Sequence, residues 1–358
     1  MGLPSVRDCT GQPRATHRWY RPDVGRRGPG MAARSVALAS CVLSACAASV
    51  VPSPSPAPSG TIAATPLPAP ATGPAAAAWR RVADIPTPRS EVGAVASRAG
   101  IYVIGGSGGP DVVERYDPAA GRWERVTTVP VGVDHPMVAE TAGRSLFVIG
   151  GNVNGRPTDR AFRYDLLLDR WTELPRMPGP RSQGAAVARG GDVYVVGGWD
   201  GGRLVAPTYV LHDGGGWSIG APIPTPRDHL AAAELDAKVC AIGGRRLSLD
   251  LNLPTFECYV TQEDRWETLA PAPTPRGGVG AAVVGRRLYV IGGEQPSGTF
   301  AQVEIYDAST GAWSRGPDLP TPRHGLGIAA VGQTIYALTG GPTPGDSRTA
   351  VCEALTVP

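Results

Sequence analysis

Side chains able to bind ligands or move protons gather at one recurring place in this 358-residue sequence, the end of a Pro-rich turn. There the chain reads Arg89-Ser90-Glu91, Asp134-His135, Arg181-Ser182-Gln183, Arg227-Asp228-His229, Arg276-Gly277 and Arg323-His324. A second set follows a Gly-Gly pair: Asn152, Trp199-Asp200, Arg245-Arg246 and Glu294-Gln295. Guanidinium forks suit carboxylates, and a Trp beside polar groups suits a sugar face or a peptide side chain. The candidate ligand contacts are therefore Arg89, Arg181, Arg227, Arg276 and Arg323; beside them Glu91, His135, Gln183, His229 and His324; and from the second set Trp199, Arg245 and Glu294. The repeated Arg equally suits backbone carbonyls of an adjacent repeat. His135, His229 and His324 invite a metal, but their offsets from the Arg position differ and they lie on nonadjacent repeats. Ligand distances near ~2.1 Å are then hard to meet, and the expectation is no metal. No catalytic residue and no cofactor is assigned. Cys352 lacks an assignable His partner and reads as a small buried hydrophobe.

What must position these residues is a repeat. An apolar strand ends in Gly-Gly at Gly105, Gly150, Gly197, Gly243, Gly292 and Gly340, with first glycines 45, 47, 46, 49 and 48 residues apart. Trp recurs in step at 79, 123, 171, 217, 266 and 313, and a Tyr stands seven residues earlier at 116, 164, 259 and 306, replaced once by Val210. The Arg turn precedes each unit, with Asp134 in the Arg place of the second. Large aromatic rings suit the gap between packed sheets, and glycine suits places that need φ > 0 or close backbone approach.

The double glycine after a strand, followed by a spaced Tyr and Trp, resembles the kelch repeat over residues 79–358. The resemblance implies an all-β, six-bladed β-propeller. Each blade is a four-stranded antiparallel sheet: strand a after the Arg turn, b ending at Gly-Gly, c with the Tyr, and outer strand d with the Trp. The chain enters on a d landmark, Trp79, and leaves on a c-like strand near 349–355 without a Trp. The N-terminal strand is therefore expected to complete the C-terminal blade and close the ring. In such blades the d-to-a and b-to-c loops share one face, which collects all the candidate residues above. Cys240 and Cys258 fall on strands b and c of one blade and could join in an oxidising compartment, although cross-strand geometry is restrictive.

Before the repeats lie three segments. Residues 1–30 alternate charge, Pro and Gly without an apolar period and read as a mis-assigned or disordered leader. From Met31 a short basic n-region, an apolar stretch and Leu43-Ala45-Cys46, with Ser44 between, resemble a bacterial lipoprotein signal over 31–45, with Cys46 as the lipidated residue. Residues 46–78, rich in Pro and Ala, read as a disordered tether. Residues 1–30 carry six Arg against two Asp, so of the net charge of +3 the remainder holds −1. A nucleic-acid binder carries a basic stripe on its folded part, and nucleic acid is set aside. The expectation is an extracytoplasmic, membrane-anchored monomer that meets the membrane only through its lipid and binds a protein or glycan. The alternatives are a secreted form, a carbohydrate mutarotase like the one acting on sialic acid with Glu91 and Arg89 as its nearest acid/base pair, and a structural module of an envelope complex.

Overall fold

A computed structural model describes residues 78–358; the expected leader, export signal and nearly all of the tether lie outside the described residues. Six antiparallel sheets follow one another along the chain, each with four radial strands and the fifth with a short added strand, Gly298–Thr299. Blade 1 runs from the axis outward as Gly93–Ser97, Gly100–Ile104, Val112–Asp117 and Arg122–Thr128; blade 2 as Met137–Thr141, Ser145–Ile149, Ala161–Asp165 and Arg170–Glu173. Blade 3 comprises Ala185–Arg189, Asp192–Val196, Thr208–Leu211 and Trp217–Gly220, and blade 4 Ala231–Leu235, Lys238–Ile242, Phe256–Val260 and Arg265–Thr268. Blade 5 is Gly277–Val284, Arg287–Gln295, Val303–Asp307 and Ala312–Arg315. Blade 6 takes Gly327–Val331, Thr334–Leu338 and Cys352–Thr356 from the C-terminus and Trp79–Arg81 from the N-terminal side. Trp79 pairs with Leu355 and Arg81 with Glu353, so the ring closes as expected.

Each sheet has two apolar faces and buries both against its neighbours. Six hydrophobic clusters result, one in every gap between consecutive blades, including the gap between blades 6 and 1 where Ile101, Val103 and Tyr116 meet Tyr336, Leu338 and Ala354. The outer-strand Trp of each blade also carries a polar link to the preceding blade. In most blades its indole N–H donates to a carbonyl of the chain leaving that blade, as in Trp123 to Ala83 O at 2.8 Å, Trp217 to Pro175 O at 2.8 Å and Trp313 to Ala270 O at 2.9 Å, while Trp171 donates to the Thr127 hydroxyl at 3.3 Å. Trp79 donates to Pro317 O at 2.9 Å and so sews the closing strand to blade 5.

The double glycines serve the same radial packing. The second glycine donates its N–H to the carbonyl at the Arg place of the next blade: Gly151 to Arg181, Gly198 to Arg227, Gly244 to Arg276 and Gly293 to Arg323, at 2.8–2.9 Å. The first glycine is left-handed, and at Gly105 a Cβ would stand 2.5 Å from the Val133 carbonyl.

These bonds correct three landmarks by one residue. Gly106 donates to Val133, so Val133, not Asp134, fills the Arg place of blade 2. Gly340 donates to Arg89, so the first-glycine place of blade 6 belongs to Thr339, at φ 51°, and the last spacing is 47. In blade 3 Trp217 faces Leu211 across the sheet, not Val210, because the turn between strands c and d is one residue shorter than the Tyr spacing assumes.

Candidate functional site

The five repeated arginines are withdrawn from the surface, at 0–1% exposure, which corrects their assignment as ligand contacts. Each guanidinium turns into its own blade rather than toward the adjacent one. Arg89 donates to Val112 O at 2.8 Å and Gly105 O at 3.2 Å and pairs with Glu114 at 2.7 Å. Arg227, Arg276 and Arg323 pair likewise with Glu257, Glu304 and Glu353, and a Thr two residues before each Arg donates to the same acid. Burial pushes Arg89 down to about 10 against the pull of Glu114. Blade 3 replaces the acid by Tyr209, whose ring lies 4.0 Å from the Arg181 guanidinium carbon. Blade 2 carries Val133 with Phe162 in the acid's place, an apolar solution to the same packing problem. For Glu114, Glu257 and Glu304 the acid was legible as the residue two before the strand-c Tyr, a pattern the sequence reading passed over; Glu353 stands two before Leu355.

The two residues after the Arg place build the face. The first pairs with the b-to-c loop of its own blade, giving the contacts Ser90–Ser107, Asp134–Asn152, Ser182–Trp199, Asp228–Arg245, Gly277–Glu294 and His324–Gly341. Both candidate sets therefore do share one face. The second residue is left-handed in every blade: Glu91, His135, Gln183, His229, Gly278 and Gly325, with φ between 50° and 66°. Their backbones link blade to blade around the axis, with His135 N on Glu91 O at 3.0 Å, His229 N on Gln183 O at 2.7 Å, Gly278 N on His229 O at 2.9 Å and Gly325 N on Gly278 O at 2.9 Å. All six line one cavity of about 90 Å³.

This geometry overturns the expectation that nonadjacent histidines stay apart. With Val133 in the Arg place, His135 and His229 hold the same repeat position, and their rings meet edge-on at 5.2 Å. His135 Nδ1 meets Asp134 at 2.6 Å and its Nε2 meets Glu91 at 3.2 Å. Burial lowers its pKa, but Glu91 and Asp134 outweigh burial and raise it. His324 is buried one position earlier in blade 6. It reaches Glu91 at 3.1 Å through Nδ1 and the Thr343 carbonyl at 3.1 Å through Nε2, and these acceptors likewise raise its pKa over the opposing effect of burial. His229 is the opposite case: burial and the Arg245 charge lower its pKa. Its Nδ1 donates to Asp228 at 2.6 Å while Nε2 accepts from Arg245 Nη2 at 2.8 Å.

Glu91 lies at the centre. Burial pushes its carboxyl up, but His135 and His324 hold it well below the usual carboxylate range. Gly325 makes room for it, since a Cβ there would stand 2.5 Å from Glu91 Oε1. Glu294, 2% exposed, accepts from Arg245 Nη1 at 2.7 Å and from Gly345 N at 3.0 Å. Arg245 is thus a member of the network, 12% exposed, and not a free fork. Trp199 lies half-buried on the same face in blade 3, its backbone paired to Ser182. Asp134 and Asp228, which fix the histidines, and Gly278 and Gly325, which leave room, are the members sequence reasoning missed.

A six-bladed propeller with these landmarks defines its class, and comparison with known proteins agrees. The family described as Kelch motif matches residues 88–130, 135–178, 180–208 and 275–320. The chain is similar to Kelch-like protein 35 of Mus musculus, 32% identical over 174 residues, which cover 47% of this chain and 29% of that protein. It is 27% identical over 203 residues to Beta-scruin of Limulus polyphemus, covering 52% of this chain and 22% of that one. Kelch-like protein terF of Aspergillus terreus is 27% identical over 210 residues, 51% of this chain and 44% of its own. The chain thus spans less than half the length of these curated relatives. It carries Kelch-motif repeats over the matched residues.

Proposed function

We propose that the propeller binds a protein partner through the face carrying the d-to-a and b-to-c loops, and that it does so outside the cytoplasm, held to a membrane by a lipid on Cys46. The size of the central cavity carries the first part. At about 90 Å³ it falls well short of the ~300 Å³ at which pockets for small organic ligands begin. Around it the blade 4 loop raises Arg246, Leu247 and Leu251 into solvent, the two leucines 57% and 52% exposed. A shallow rim with exposed apolar and basic groups suits a protein surface better than a sugar. Glu91, the base a mutarotase would use, lies between His135 and His324, which hold it well below the usual carboxylate range and so make it a weak base.

The lipobox followed directly by an uncharged Pro-rich segment supports the anchor. So does the disulfide joining Cys240 and Cys258 across strands b and c of blade 4, since such bonds persist in oxidising compartments.

Partner binding measured with Arg246→Ala and Leu247→Ala combined should weaken on the order of thirtyfold. Arg144→Ala and Arg286→Ala, exposed on the a-to-b loops of the other face, should bind as the parent does; the reverse pattern would reject this face. For the anchor, Cys46→Ala should shift the protein from membrane to soluble fractions, and undiminished fatty-acid labelling of that variant would refute lipidation there.

A further inference from the structure

We infer that Glu91, His135 and His229 form a binding site for a divalent transition-metal ion, zinc by its donor set, on the propeller axis. The donor atoms of the three side chains lie within 4.8 Å of one another. A tetrahedral zinc with bonds of ~2.1 Å holds its ligand atoms about 3.4 Å apart, so small side-chain rotations close the set. Two imidazoles and one carboxylate with a position left over is a combination suited to zinc.

The outer shell supports the same reading. His135 and His229 occupy the same repeat position in blades 2 and 4, and each has its Nδ1 fixed 2.6 Å from the Asp that precedes it. Asp134 is held in turn by Asn152 Nδ2 at 2.8 Å and Asp228 by Leu247 N at 2.8 Å. A carboxylate on Nδ1 fixes the tautomer and presents the Nε2 lone pair, which is how metal-binding histidines are commonly oriented. Both histidines line the cavity that Glu91 and Gln183 also line. Its volume of about 90 Å³ accepts an ion with one or two waters at ~30 Å³ each.

Two interactions oppose the ion: the proton that His135 Nε2 shares with Glu91 across 3.2 Å must leave before that nitrogen can bind a metal, and a guanidinium holds the other histidine. Arg245 Nη2 lies 2.8 Å from His229 Nε2 and takes the lone pair a metal would use. On metal binding it gives up that bond and keeps Glu294 and Asp228, which already hold it at 2.7 and 3.4 Å. Affinity is therefore set by competition of the ion with the His135 proton and with Arg245, a feature that a purely structural ion-pair plug would not show.

The test uses the full chain, stripped with a chelator and titrated with Co²⁺, whose visible absorption reports imidazole ligation, followed by Zn²⁺ competition. One ion per chain is expected. Asp134→Asn should weaken binding 10- to 100-fold, as is usual for loss of an outer-shell carboxylate, and His135→Gln should abolish the Co²⁺ bands. Arg245→Gln should tighten Zn²⁺ binding on the order of tenfold by removing the competing charge. That gain cannot arise from misfolding. The site is refuted by absent Co²⁺ bands, by bands that persist in His135→Gln, or by an Arg245→Gln variant that binds no tighter than the parent.

Discussion

The repeated arginine illustrates how one side chain admits two readings that only burial separates. A guanidinium fork in a recurring turn is as well suited to a ligand carboxylate as to carbonyls, and both readings stood at the level of sequence. What decides is the residue two before the strand-c position that faces the outer-strand Trp. Where Arg is present the partner is Glu114, Glu257, Glu304 or Glu353, or the ring of Tyr209; where Val133 replaces Arg the partner is Phe162. The chain thus contains its own control experiment. Removing one member of a buried pair leaves an uncompensated charge and costs about 3–5 kcal/mol, whereas exchanging the whole pair for apolar groups is close to neutral. In blade 5, Arg276→Ala or Glu304→Ala should lose about 3–5 kcal/mol in urea unfolding. The triple change Thr274→Val, Arg276→Val and Glu304→Phe, which copies blade 2, should recover most of that loss. A triple variant no more stable than the singles would show that the blade 2 solution does not transfer.

At the scale of the strand, periodicity told where each element ends but not which residue fills a given place. Counting residues assigned Asp134, Val210 and Gly340, and hydrogen bonding moved each by one, to Val133, Leu211 and Thr339. A turn shortened by one residue leaves composition and spacing almost unchanged and alters which side chain faces the axis. That single slip is what hid the convergence of His135 and His229. Thr339 shows what holds such a place when glycine is absent. It is a β-branched residue at φ 51°, and its hydroxyl takes the Arg89 N–H at 3.0 Å and reaches the Arg89 and Thr349 carbonyls at 2.5 and 2.8 Å. Thr339→Val keeps the unfavourable φ and leaves the buried Arg89 N–H unpaired, so it should cost about 2–3 kcal/mol. Thr339→Gly relieves the φ and should cost less. Chemical denaturation of the two variants gives the order, and a Gly variant less stable than Val would mean that the left-handed φ is not what burdens this strand end.

Over the whole ring, stability depends on a joint made by three residues from one end of the fold. Trp79–Arg81 is the outer strand of blade 6, and Trp79 adds the indole bond to Pro317 at 2.9 Å, while Val82 and Ile85 continue into the cluster between blades 6 and 1. The next residues lead to Arg89, whose backbone meets Thr339 and Gly340. Blade 6 and the seam to blade 1 are therefore closed by side chains and backbone supplied from residues 79–89, far in sequence from the strands they complete. This closure was legible beforehand, because a lone Trp at the start and a missing Trp at the end can be reconciled only in a ring. Deleting 79–88 removes a Trp and two buried aliphatics, a loss on the order of 5 kcal/mol, which for a fold of this size lowers Tm by about 10 °C or more. Deleting 47–77, a Pro-rich stretch with little material for a core, should leave Tm unchanged. Calorimetry of the two deletions side by side measures the joint directly, and matching transitions would mean that blades 1 to 6 hold together without the strand that closes them.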